Sequence, residues 1–115
     1  MNRAEIKQKW LEELRSGNHK QGVGTLKSVE ADGSFAYCCL GVLQEKVLGE
    51  EIKPVVRLNY SIEDWFPEGD FEIYNNLRNV ILSDFIVEKC TRMNDELGMK
   101  FNDIADWLEE KWDVG

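Results

Sequence analysis

Residues 24–44 read GTLKSVEADGSFAYCCLGVLQ, and the apolar period changes inside them. Up to Tyr37 the stretch alternates as a strand does, around Asp32-Gly33, a pair favoured in two-residue turns that need positive φ at both centres. With those two residues at the turn centre, Glu30 faces Phe35, Ser28 faces Tyr37 and Leu26 faces Cys39. The pattern predicts a β-hairpin over about residues 24–38 with one aromatic face. From Cys38 the period lengthens: Cys39, Val42, Leu43 and Val47 follow i, i+3, i+4 and i+8, a short buried helix that Gly49 can stop. Gly41 lowers helix propensity by up to ~1 kcal/mol relative to Ala, so a close neighbour is expected there.

Cys38 and Cys39 stand at the junction. Adjacent side chains diverge in both strand and helix, so one ion is poorly placed to take both thiolates. Cys90 and the single His19 are too distant in sequence to complete a zinc spacing. A nucleophilic or redox pair needs a base, which His19 is poorly placed to supply. The two thiols read as core, and no metal, cofactor or catalytic constellation is expected.

Outward from this junction the helices are punctuated. Asn2 and Glu5 have capping-box spacing, Ile6, Trp10, Leu11 and Leu14 form a stripe, and Gly17 suits a helix end, so a helix is expected over about residues 3–16. A second stripe runs through Leu82, Ile86, Cys90, Met93 and Leu97, with Ser83 as cap and Gly98 as stop. A third runs through Phe101, Ile104, Ala105, Leu108 and Trp112. Residues 50–80 contain Pro54 and Pro67 and mix aromatics with acids, and predict irregular chain with a short strand or helix. The expectation is an α+β fold of one domain, residues 1–115, with about four helices packed on the hairpin.

Charge divides the chain. The net charge is −8, with residues 1–57 near +1 and residues 58–115 near −9. An acidic second half repels nucleic acid and anionic membranes and attracts basic partners. Three cysteines, no membrane-length apolar run and a charged start, MNRAEIKQKW, suggest free thiols and a cytoplasmic location.

Two sets of residues could carry function. The last helix presents Asp103, Asp106, Glu110 and Asp113 as an acidic ridge whose only base is Lys111, so it is repulsive unless covered, and it can imitate a row of phosphates. Trp107 on its flank and Trp65 and Phe66 in an acidic aromatic loop complete a partner-binding set, although a charged outer face is also what any surface helix shows. The other set, His19, Lys20, Gln21 and Asn94, offers a small basic, glycine-containing loop for a nucleotide-like anion. Its plainer reading is a solvated histidine and residues suited to helix-end loops.

The order LRSGNHKQGVGTL, YCCLGVLQE, MNDELGMKFNDIADWLEE resembles a family of small uncharacterised bacteriophage and prophage proteins with "KQG.G.L", "CCLGVL" and "LND…F.EIAD.IE" motifs. Two positions depart from it: Lys100 stands where a serine cap is common, so the cap is expected elsewhere, as at Asn102, and Gln44 stands where a further cysteine is common. The resemblance implies phage origin and no known reaction. With that origin the leading expectation is a binding protein that blocks a bacterial defence component, anti-CRISPR-like, by mimicking nucleic acid. Its partner would be a host protein with a basic surface in the host cytoplasm. It would bind neither nucleic acid nor membrane directly. A binder or enzyme for a small nucleotide-like anion, and a structural or regulatory phage protein, stand as alternatives.

Overall fold

The computed structural model describes residues 1–56 and 68–114, with elements in the order α1 (Arg3–Arg15), β1 (Lys20–Gln21), β2 (Lys27–Val29), β3 (Phe35–Tyr37), α2 (Cys39–Val42), β4 (Val55–Val56), α3 (Glu68–Ile81), α4 (Asp84–Asp95) and α5 (Phe101–Lys111). It is an α+β fold. α1 begins where the Asn2 side chain accepts the Glu5 N–H at 2.9 Å, and it buries Ile6, Trp10, Leu11 and Leu14.

The hairpin forms, one residue out of the expected register. Val29 pairs with Phe35, Ser28 with Ala36 and Lys27 with Tyr37. Its loop is longer than two residues: the Glu30 N–H donates to Ser34 O at 2.8 Å and the Gly33 N–H to Glu30 O at 2.9 Å, with Gly33 left-handed at φ +85°. Asp32 takes both the N–H and the hydroxyl of Ser34, a local bond that favours this three-residue loop over the tighter one. Lys27, rather than Ser28, therefore shares a face with Tyr37. β1 joins β3 and β4 joins β2, both in parallel, so the hairpin is the centre of a four-stranded sheet ordered β1-β3-β2-β4. Flanking strands matter here because an isolated hairpin is marginal in water.

The strand-to-helix switch falls where the period changes. The Cys38 N–H donates to Leu26 O at 3.2 Å, and Cys38 Sγ accepts the Gly41 N–H at 3.4 Å, so the thiol caps α2. A Cβ at Gly41 would lie 2.0 Å from Leu26 O, the close neighbour expected there. Residues Leu43–Val47 then widen into a π-helical turn, which the Leu48 N–H closes onto Leu43 O at 2.9 Å. Trp10 sits at the middle of the core, its indole N–H donating to Cys39 O at 2.9 Å and its ring edge-on to Trp112 at 5.8 Å.

Three features of the C-terminal half differ from expectation. α3 is a 14-residue helix where irregular chain with a short strand or helix was expected; Leu77 and Ile81 are buried, and Ile73, Tyr74 and Val80 pack against the core. Leu82 and Leu97 lie outside α4 and are 61% and 51% exposed, so neither belongs to its buried stripe. The α5 cap comes from neither Lys100 nor Asn102: the Phe101 N–H donates to Gln21 Oε1 at 3.1 Å, from 80 residues away.

Candidate functional site

Asn94, in the last turn of α4, lies inside the protein, 0% exposed. Its Oδ1 accepts from Gln21 Nε2 at 2.8 Å and from the Cys39 N–H at 3.3 Å, while its Nδ2 donates to Gly22 O and Asp95 Oδ1, each at 2.8 Å. Gln21 Nε2 also donates to Met99 O at 2.7 Å. Gln21 and Asn94 thus do converge, but on each other and on backbone. His19 lies apart, with Nε2 against Glu13 Oε2 and its ring edge-on to Tyr37 at 6.2 Å, and Lys20 is exposed. Two cavities among the described residues, of about 510 and 670 Å³, are lined by other residues.

The π-helical turn holds a second polar cluster that sequence reading missed. Glu45 accepts from Lys27 Nζ at 2.7 Å, from the Tyr37 hydroxyl and from the Ile52 N–H at 3.1 Å. Lys27 lies over the Phe35 ring at 4.4 Å. Burial pushes the Glu45 carboxyl up, but the Lys27, Tyr37 and Ile52 hydrogen bonds and the Lys27 charge outweigh it and hold it at about 2. Burial and the bond to Glu45 raise the Tyr37 phenol well above its usual value. A saturated carboxylate, a buried ammonium and a phenol that stays protonated form a latch between hairpin and helix.

The thiols are equally enclosed. Cys38, Cys39 and Cys90 are all free and buried. Burial pushes the Cys38 thiol up; at Cys39 the bond with Cys90 does so first and burial second. Neutral buried thiols are poor nucleophiles. Among the described residues no three His, Cys, Asp or Glu side chains converge as metal ligands would.

The acidic ridge of α5 is exposed along Asp103, Asp106, Glu110 and Asp113, with Trp107 half-buried beside it. It is not uncovered throughout. Arg15 of α1 reaches Asp106 at 2.7 Å and Glu109 at 3.1 Å, and Lys7 donates to the carbonyls of Glu109 and Trp112 at the helix end. These cations answer the α1 side of α5 and favour the negative end of its dipole. Asp103 and Glu110 lie four residues before and three after Trp107, on the opposite flank, where Glu110 has Lys111 at 3.7 Å and Asp103 has no ion pair among the described residues. Trp65 and Phe66 lie outside the described residues.

What Trp107 does meet is Phe85. The rings are 6.3 Å apart, and Phe85, at the start of α4, is 65% exposed. Its neighbour Leu82 is also exposed and sits at φ +56°, the only non-glycine with positive φ among the described residues. An L-residue held there costs about 1 kcal/mol. Phe85 could have been noticed in the sequence as a large apolar residue out of phase with the Ile86, Cys90, Met93 stripe; Leu82 could not, since its spacing fits that stripe.

A family model described as a domain of unknown function (DUF8296) matches residues 1–57. No curated protein and no solved structure matches the chain. The matched stretch is the capped α1, the hairpin, the thiol-capped α2 and β4, and it ends before the Phe85–Trp107 surface.

Proposed function

We propose that this chain is a binding protein rather than an enzyme, and that it covers a basic surface of a protein partner with the acidic, aromatic flank of α4 and α5. The observation that carries this is the Phe85–Trp107 pair, bordered along α5 by Asp103 and Glu110 on the flank that Arg15 does not reach. An aromatic centre with a charged rim is the anatomy of a contact surface. The acidic rim selects basic partners and disfavours nucleic acid. The resemblance of its motifs to phage proteins supports a partner in the bacterial host cytoplasm, a nucleic-acid-binding defence protein whose basic groove is occluded in an anti-CRISPR-like manner. Among the described residues no helix is long and apolar enough to cross a membrane. The polar atoms of Gln21 and Asn94 are taken up inside the protein, which weighs against the alternative of an anion site there.

The test is expression in bacteria with an active CRISPR or restriction system, scored by phage plating. The wild-type chain should raise plating efficiency at least tenfold, and the double variant Asp103→Lys, Glu110→Lys should abolish the gain while folding normally. No gain with any such system, or full activity in the reversed variant, would refute the reading.

A further inference from the structure

Arg3 is a cation that the fold does not use. It stands exposed in the first turn of α1, the positive end of that helix, where a basic side chain is disfavoured. It has no ion pair among the described residues, whereas Arg15, Lys27, Arg78 and Arg92 each meet a carboxylate. Instead it borders the cavity of about 510 Å³, a volume in the ordinary range for small-molecule sites. Ile81, Ile86 and Trp112 form the buried part of its lining, and the exposed Leu82 and Phe85 extend the apolar surface outward. Leu82 caps α3, its N–H donating to Arg78 O at 2.8 Å, and its side chain is left on this rim.

The charges of the lining have a definite balance. Arg3 and Lys111 stand against one carboxylate, Asp113, while Lys111 also has Glu110 at 3.7 Å. The cavity of about 670 Å³ has the opposite balance, with Arg78 and Arg92 against Glu88, Asp95 and Glu96. In a chain of net charge −8, the smaller cavity thus joins an apolar interior to a local excess of positive charge. Its complement is an apolar molecule with one negative end. We propose that this cavity binds a small amphipathic carboxylate of the fatty-acid class, with its alkyl chain against Leu82, Phe85, Ile86 and Trp112 and its carboxylate between Arg3 and Lys111. A guanidinium can take both carboxylate oxygens at once, which makes Arg3 the stronger of the two contacts. Each methylene removed from water strengthens binding by up to about fourfold, so affinity climbs with chain length.

The probes are octanoate, decanoate and decylammonium, each below its micellar concentration, titrated calorimetrically against the full chain. Decanoate should bind with a sub-millimolar Kd, at least threefold tighter than octanoate and at least tenfold tighter than decylammonium. The comparison with the amine is stringent, because the long-range field of so acidic a chain favours the cation. Arg3→Gln should weaken decanoate at least fivefold and melt with the wild type, since Arg3 holds no partner in the fold. Leu82→Gly should also weaken it and melt no lower, glycine being at ease at φ +56°. No saturable heat with decanoate at millimolar concentration overturns the proposal, as does equal or tighter binding of decylammonium, or an Arg3→Gln variant that binds decanoate as the wild type does. Phe85 is left unchanged in these tests because it also belongs to the pair with Trp107.

Discussion

The sheet with α2 and the flank of α4 and α5 treat their side chains in opposite ways. Around the sheet even Lys27, Glu45 and Asn94 are drawn inside and bonded to neighbours, and a thiol serves as helix cap. On the flank, apolar groups as large as Phe85 and Leu82 remain in water. Apart from Gln44 Oε1, which is buried without a hydrogen-bond partner, the buried polar side-chain atoms among the described residues are satisfied internally; such chemistry holds a fold together and has little left to offer a ligand, whereas exposed apolar groups beside charge have contact surface to give.

The contrast can be broken most severely at Gly41. Gly41→Ala drives a Cβ into Leu26 O, and neither backbone can retreat without disrupting β2 or α2; a loss of more than about 3 kcal/mol is expected, seen as a collapse of the urea midpoint. Asn94→Ala comes next. It strands the Gly22 carbonyl and one Gln21 amide in the interior, and should cost about 2 kcal/mol in the same measurement.

The Glu45 latch sharpens the contrast through pH. Its folded value of about 2 lies below the ordinary carboxylate value of about 4.3, so its contribution is complete above that ordinary value and is lost as pH falls toward 2. Urea midpoints of the wild type should therefore fall more steeply between pH 5 and 2 than those of Glu45→Gln, which starts lower and stays flatter. Smallest of all is the stability effect of Asp103→Lys, Glu110→Lys, within about 0.5 kcal/mol by thermal melting. A large loss there would show that the flank is built into the fold after all.

Much of this fold could be read in the sequence because its signals are local. The Asn2 cap, the change of period at Cys38 and the Phe101, Ile104, Leu108 stripe each depend on residues within a turn or two. The misses are where a distant or competing bond decided the outcome. The Asp32–Ser34 bonds lengthened the hairpin loop and so exchanged Ser28 for Lys27 opposite Tyr37. α3 did have a helical signal in Ile73, Tyr74, Leu77 and Ile81, obscured by the acids Glu68, Asp70 and Glu72 before them and by Asn75-Asn76 between them. On the candidate surface Trp107 and its acids were legible from the helical period, but Arg15 from α1 and Phe85 from α4 arrive through tertiary packing, which no spacing within α5 encodes.

Gln21 has a consequence for the order in which the molecule is made. Its side chain and the Gly22 carbonyl emerge from the ribosome 73 and 72 residues ahead of Asn94, which at roughly 5–20 residues per second is about 4–15 s. During that interval water occupies the places that Asn94 and the first turn of α5 will take. The first half of the chain is thus synthesised with an open seam, and the newly made protein closes it only when its last two helices arrive.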